Sequence, residues 1–231
     1  MMGVMNATTT PTSPPATAPD PLRLARWVPA SATRVLDCAA GNGALGTHLK
    51  AAGHWVGGVE KDPAKAEALR GAIDEVVCGD PYTVTLPWPD AHFDCGVCEG
   101  LFPKMRDPAP FLKEVTRVLR PGALFAATAP NIQFYEHFLM LARGRWQLQE
   151  HGALARDHIR FFTAFELVQL LQRAGFTQVR CGVLDSVGPE AFPRDADGYV
   201  RLEDLEIGPM EPDHHKLFLV REYVVLGVKS A

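Results

Sequence analysis

The sequence predicts an α/β fold, a seven-stranded and mostly parallel sheet with an antiparallel last strand and helices on both faces. Two observations carry this expectation. From Thr33 onward, apolar runs alternate with helical patterns, as they do where crossover helices join parallel strands. Within that alternation, Val35 to Gly46 (VLDCAAGNGALG) takes a strand into a glycine-rich turn that opens a helix.

The elements follow in order. A first strand covers 34–38 and a helix 44–52; a second strand at 55–60 leads to a helix over 63–70. The third and fourth strands fall at 73–78 and 93–98. The helix over 108–119 is well specified: Asp107 suits its N-cap, Pro108 its first turn, and Phe111, Val115, Val118 and Leu119 share one face. Arg120-Pro121-Gly122 ends it before a fifth strand at 123–129. Thr163-Ala164-Phe165-Glu166 is a capping box, and the helix it opens closes at Gly175. The last strands cover 176–184 and 217–229.

Length and composition bound the rest. A chain of 231 residues with 47% hydrophobic and 22% charged residues is ordinary globular material, one domain with embellishments. Residues 1–21 read as a disordered tail, because Thr, Pro and Ala repeat there without an apolar face; 22–231 read as a single domain. Two stretches interrupt the rhythm, 130–162 and 187–216. Parallel strands point their carboxyl ends to one edge and an antiparallel last strand starts from that edge, so both inserts should lie over it as a lid. The first should contain a helix, since Phe134, Phe138 and Leu141 recur at helical spacing. The second is rich in carboxylates.

A net charge of −4 argues against nucleic acid or a membrane as partner. No run approaches the roughly 18 apolar residues of a membrane helix, and the start resembles no signal peptide, so a cytoplasmic monomer or homodimer is expected. The five cysteines are odd in number and form no disulfide framework. Cys95 and Cys98 form a CxxC without a second pair, on a strand that reads as buried, so no metal site is expected.

Gly41-x-Gly43-x-x-Gly46 matches the dinucleotide fingerprint literally, which makes the sheet Rossmann-like, and Glu60 ends the next strand where a ribose-binding acid would sit. Asp37 separates the possible ligands. A carboxylate just before the glycines repels pyrophosphate and attracts an ammonium or sulfonium cation. Cys78-Gly79-Asp80 then offers an acid to an adenine amine.

In this order of motifs, completed by Phe93-Asp94, Arg106-Asp107-Pro108 and Leu119-Arg120-Pro121-Gly122, the chain resembles the class I S-adenosylmethionine-dependent methyltransferases over roughly residues 32–229. His158-Ile-Arg-Phe-Phe-Thr163 and Ala174-Gly-Phe176 resemble a subgroup of ubiquinone-biosynthesis-type and other small-molecule or glycan methyltransferases. The resemblance implies S-adenosyl-L-methionine as cofactor, with Asp37, Cys38, Ala39, Gly41 and Gly43 around its methionine part. It further implies Glu60 and Lys61 at the ribose, Asp80 at the adenine, and Cys98 and Glu99 near the amino group. Ala39 replaces the family's first glycine, and the Glu-His pair common after the fourth strand aligns with Pro103-Lys104.

The expected reaction is methyl transfer to a hydroxyl of a small molecule or sugar. Candidate bases come from the inserts: His158 first, then Tyr135 and His137. Arg160, His214 and His215 are candidate substrate contacts, although each of these side chains could equally serve the fold alone. Three alternatives stay open: an N-methyltransferase on an amine, a nicotinamide-dependent dehydrogenase, and a cofactor-binding partner subunit without catalysis.

Overall fold

The structure, a computed structural model, describes residues 20–202 and 204–231. Most of the expected tail, residues 1–19, lies outside the described residues, as does Glu203 of the second insert.

Nine strands and six α-helices are described. They are β1 (Arg34–Asp37), α1 (Ala44–Ala51), β2 (Trp55–Glu60), α2 (Pro63–Leu69), β3 (Glu75–Cys78), β4 (Phe93–Cys98), α3 (Ala109–Val118), β5 (Leu119–Pro130), α4 (Tyr135–Ala142), α5 (Ala164–Arg173), β6 (Phe176–Ser186), β7 (Val200–Arg201), β8 (Glu206–Ile207), α6 (Pro212–Leu219) and β9 (Val220–Lys229). Seven strands form one sheet in the order β3-β2-β1-β4-β5-β9-β6. All the pairs from β3 to β5 are parallel, and β9 runs antiparallel between β5 and β6. The fold class is therefore the expected one, a Rossmann-like, mostly parallel seven-stranded sheet with an antiparallel last strand.

Side-chain alternation along the strands divides the core into two layers. Leu36, Phe93, Phe125 and Val225 pack with Phe111, Leu112, Val115, Leu167 and Leu171 on one face. Val35, Val56, Cys95, Val97 and Ala126 pack with Leu45, Leu49 and Leu24 on the other. The best-specified helix forms as its sequence dictates: Asp107 accepts the Ala109 N–H at 3.0 Å, and Phe111, Leu112, Val115 and Val118 are buried. The capping box also forms, with the Thr163 N–H donating to Glu166 at 3.0 Å.

Among the boundaries that differ from expectation, three have a reason in the packing. The fifth strand starts at Leu119, directly after α3, because Arg120-Pro121-Gly122 bulges out of the ladder between the Phe93–Leu119 and Cys95–Leu124 pairs. The third strand starts at Glu75, and Ile73 packs into the core from the turn before it. Residues 217–219 are the last turn of α6, not the start of β9; Pro212 in the first turn and the apolar pair Phe218 and Leu219 make this segment helical.

The two inserts pack on each other above the carboxyl edge. The first contains α4, as its spacing predicts. The second is structured too: a short 3₁₀ turn at Pro189–Ala191, the β7–β8 hairpin and α6. Phe192, Val200, Met210, Phe218 and Leu219 form a third core, joined by Tyr135 and Leu139 of α4. Asn131 ties this cap to the sheet. Fully buried, it donates from its amide to the Leu217 and Val220 carbonyls at 2.9 and 2.8 Å, and accepts the Gln133 N–H at 3.0 Å. No helix among the described residues is long and apolar enough to cross a membrane.

Asn131→Ala should therefore lower stability by about 2–4 kcal/mol, since it removes three hydrogen bonds and strands two buried carbonyls. Urea denaturation followed by circular dichroism measures this loss.

Candidate functional site

The sheet reverses direction of growth at β1, which lies between β2 and β4. Ligands of open α/β sheets bind at such a switch point, beyond the carboxyl ends of the strands. A cavity of about 250 Å³ opens there, lined by Pro21, Asp37, Ala39, Gly41, Asn42 and Glu99 among others.

The local sequence explains the lining. The turn after β1 needs left-handed backbone at Gly41 (φ 55°) and Gly43 (φ 80°). Gly43 also caps α1, and a Cβ there would lie 2.2 Å from the Leu69 side chain, so it fixes how α1 meets α2. Ala39 occupies the cavity wall where the resembling family has glycine.

The electrostatics are lopsided. Asp37 is 2% exposed, and its carboxyl is pushed up to about 7, chiefly by burial. The Ala39 N–H, 3.2 Å away, opposes this; the charges of Glu99 and Glu60 reinforce it. Glu99 is also raised by burial, and Arg23 counteracts the rise. The Arg23 guanidinium donates to Glu99 at 2.7 Å and, in a fork, to Glu222 at 2.5 and 2.8 Å. Sequence reasoning missed this pair. A charged residue near the start of the apolar run of β9 was the available signal for Glu222; Arg23 had none, since its partners are 76 and 199 residues away.

The remaining candidates spread around this centre. Glu60 is buried at the end of β2, where it accepts the Asp62 N–H at 2.8 Å, and Lys61 beside it is exposed. Asp80 is exposed and accepts the Tyr82 N–H at 2.9 Å. Cys38 and Cys98 are buried at the ends of the neighbouring strands β1 and β4, and burial, reinforced by Cys98, pushes the Cys38 thiol up. Among the described residues, no group of His, Cys, Asp or Glu is arranged to hold a metal ion.

His158 is half-buried, with Nδ1 3.2 Å from the Ala153 carbonyl and Nε2 4.0 Å from Asp157. Burial lowers its pKa, and Glu222 is near enough to act on its charge. Arg160 is exposed and donates from Nε to the Arg106 carbonyl at 2.7 Å. The structure places the other insert candidates within the cap. Tyr135 stacks on Phe192 at 5.1 Å, and His215 Nε2 lies 2.6 Å from the Phe192 carbonyl. His137 is buried against Phe134, with an Nδ1 that meets no hydrogen-bond partner, and burial lowers its pKa. His214 is exposed beside Phe218.

A family model described as "methyltransferase domain" matches residues 36–127. Over these residues the chain is similar to a methyltransferase domain. A probable S-adenosylmethionine-dependent methyltransferase of Mycolicibacterium smegmatis is 30% identical over 142 residues, 62% of this chain and 51% of that protein. An uncharacterized methyltransferase of Mycobacterium tuberculosis is 37% identical over 97 residues, 42% of this chain and 40% of that one. These matches span about half the length of the curated relatives. In structure, the chain is similar to a SAM-dependent methyltransferase from Archaeoglobus fulgidus, with a TM-score of 0.63, 17% identity and 90% and 91% of the two chains covered. A possible histamine N-methyltransferase from Thermotoga maritima gives 0.60, 21%, 90% and 87%. The matched methyltransferase domain runs from β1 into β5; it contains Asp37, Glu60, Asp80 and Glu99 and ends before both inserts.

The raised Asp37 carboxyl sets a pH dependence. The unfolded chain releases this proton near its ordinary value of 3.8 and the folded chain only near 7. Between those values the folded state binds more protons, so this group's contribution to stability falls as pH rises, by roughly 4 kcal/mol across the window. In the cofactor-free protein, Asp37→Asn should gain stability relative to wild type between pH 5 and pH 8. Denaturant midpoints at the two pH values test the sign.

Proposed function

We propose that the protein transfers a methyl group from S-adenosylmethionine to a hydroxyl of a small molecule or sugar, with His158 as general base. One observation carries the reading. The Ile159 and Arg160 N–H groups donate to the Pro103 carbonyl in the loop after β4, the loop that begins at Glu99 on the cavity wall, so His158 and the cavity's acids belong to one edge.

The residues fit the cofactor. Asp37 is a buried carboxylate that pairs with no cation among the described residues, because the Arg23 guanidinium is directed to Glu99 and Glu222. A cationic ligand would stabilise its charged form, whereas a pyrophosphate would meet Asp37, Glu60 and Glu99 together. This disfavours the dehydrogenase reading. Asp37 and Glu99 would hold the methionine end, with backbone at Ala39, Gly41 and Gly43 approaching closely and Cys38 and Cys98 setting the floor. Glu60, with Lys61 beside it, would take the ribose hydroxyls, and Asp80 the adenine amine.

S-adenosylmethionine supplies an activated methyl group on its sulfonium sulfur. The protein's own contribution is alignment, exclusion of water and one proton transfer. With the His158 Nδ1–H donated to the Ala153 carbonyl, Nε2 keeps its lone pair, and the depressed pKa leaves the ring neutral near pH 7. Nε2 then takes the acceptor's hydroxyl proton as the methyl is transferred. His158 is preferred to Tyr135 and His137, which pack into the cap on α4. Arg160 and His214, exposed on the two inserts, are the proposed contacts to an acceptor, and His215 supports them from within the cap.

An amine acceptor is the second reading, favoured by the carboxylates Glu99 and Glu222 facing a single arginine. A neutral amine needs no strong base, so the two readings differ in their dependence on His158.

Calorimetric titration should show S-adenosylhomocysteine binding and no NAD binding. Glu60→Ala and Asp80→Ala should each weaken S-adenosylhomocysteine about tenfold; unchanged affinity would refute the site map. His158→Ala should leave that affinity intact and reduce kcat on a hydroxyl acceptor about 100-fold. A variant that keeps kcat on an amine supports the second reading.

A further inference from the structure

His158 is held at Nδ1 by the Ala153 carbonyl, 3.2 Å away, but the residues that follow and precede it are gripped by the loop after β4. Lys104 pairs with Asp157 at 2.8 Å and draws that carboxyl below its ordinary range. The Pro103 carbonyl accepts the Ile159 and Arg160 N–H groups at 2.8 and 3.0 Å, and the Arg106 carbonyl accepts Arg160 Nε at 2.7 Å. Residues 103–106 thus set the backbone on both sides of His158.

Two kinds of contact hold residues 103–106 in turn. Phe102 and Met105 are fully buried in the main core. From the side, the Tyr82 hydroxyl donates to the Lys104 carbonyl across 22 residues of sequence. Burial, reinforced by the charges of Asp80 and Asp157, raises the Tyr82 pKa, so the phenol keeps the proton it donates.

Tyr82 belongs to the turn that Asp80 opens after β3. The Asp80 carboxylate accepts the Tyr82 N–H at 2.9 Å, and the Asp80 carbonyl accepts the Thr83 and Val84 N–H groups at 3.0 and 2.8 Å. Further along, the loop is fixed to α3, where Arg117 donates to the Leu86 and Trp88 carbonyls at 2.8 and 3.0 Å. A ligand that immobilises Asp80 therefore acts on a turn already anchored at its far end, and the Tyr82 ring carries the effect across to Lys104.

We propose that Tyr82 is a positioning residue that ties occupation of Asp80 to the placement of His158. The inference rests on the reading of Asp80 as the adenine acid and His158 as the base. Adenine on Asp80 orders the turn, the Tyr82 hydroxyl passes that order to residues 103–106, and the backbone around His158 tightens with them. The base is then set for the acceptor once the cofactor is in place.

Amide hydrogen exchange reads this directly, because the Ile159 and Arg160 N–H groups are the ones bonded to Pro103. Saturating S-adenosylhomocysteine should slow exchange at Thr83 and Val84 and, by about fivefold or more, at Ile159 and Arg160. Tyr82→Phe, which removes the hydroxyl alone, should still bind S-adenosylhomocysteine and keep the slowing at Thr83 and Val84. At Ile159 and Arg160 the slowing should fall to about twofold or less. A hydroxyl with a structural role alone would speed exchange there equally with and without the ligand. An unchanged ratio in Tyr82→Phe therefore overturns the proposal and routes the coupling along the chain from Glu99. Exchange at Ile159 and Arg160 that ignores bound ligand in the wild type overturns it too. So does a loss of more than about tenfold in S-adenosylhomocysteine affinity in Tyr82→Phe, which would make Tyr82 part of the ligand site itself. A wild type that binds no S-adenosylhomocysteine in calorimetry removes the cofactor reading, and this inference with it.

Discussion

The buried carboxylate of Asp37 is the constraint around which this edge of the molecule is organised. It sits at the end of a central strand, 2% exposed, with one weak N–H contact and two further carboxylates in its field. Such a group destabilises the fold when ionised and empty-handed. The nearest strong cation does not relieve it: Arg23 forks onto Glu222 and reaches Glu99, neutralising the outer acids and leaving the inner one for a ligand. The glycine turn serves the same end. Its left-handed residues keep side chains out of the approach to Asp37, so that a cation of the right shape can enter.

The position of β9 has consequences of comparable reach. Placed antiparallel between β5 and β6, it must start where β5 ends, and Pro130 accordingly pairs with Glu222. The chain on both sides of this junction is therefore confined to the carboxyl edge. Asn131 uses that proximity, satisfying carbonyls of Leu217 and Val220 across 86 and 89 residues of sequence. The cap is consequently anchored at its root by polar groups and held at its far end by stacked aromatic rings, Tyr135 on Phe192 and Phe192 on Phe218. The Glu222 carboxylate emerges from the same junction, which links the cap's root to Arg23 and the cofactor edge.

What the sequence disclosed is what short-range physics determines. Strand and helix periodicity, the glycine turn and the capping box at Thr163 depend on neighbours within a few residues, and all of them formed. The helix at Pro212–Leu219 was masked because its final apolar residues merge with the apolar strand that follows, and only Pro212 marked a helix start. The bulge at Arg120-Pro121-Gly122 was readable as a stop signal but not as part of a strand, since the Phe93–Leu119 pair that extends β5 is a tertiary contact. Arg23 lay beyond sequence reasoning for the same reason: its meaning comes wholly from partners brought to it by the fold. The clustering of Asp37, Glu60, Asp80 and Glu99 along one edge was legible because each sits at or just after the end of its own strand.

The chain divides its work along the line where the methyltransferase model stops. Residues 36–127 contain Asp37, Glu60, Asp80, Glu99 and the glycine turn, which the proposed function gives to one fixed ligand. The residues that would face an acceptor on the proposed function, His158, Arg160 and His214, lie in the inserts after β5. The two parts meet at the loop after β4: Ile159 and Arg160 donate to the Pro103 carbonyl, Arg160 also to the Arg106 carbonyl, Lys104 pairs with Asp157, and Phe162 enters the main core. The outer surface of the cap lies away from these contacts and can vary while the carboxylate field around Asp37 stays constant. On the proposed function, affinity for the cofactor and choice of acceptor are then set by separate sets of contacts, joined at the loop that begins with Glu99 and carries Pro103 under the first insert.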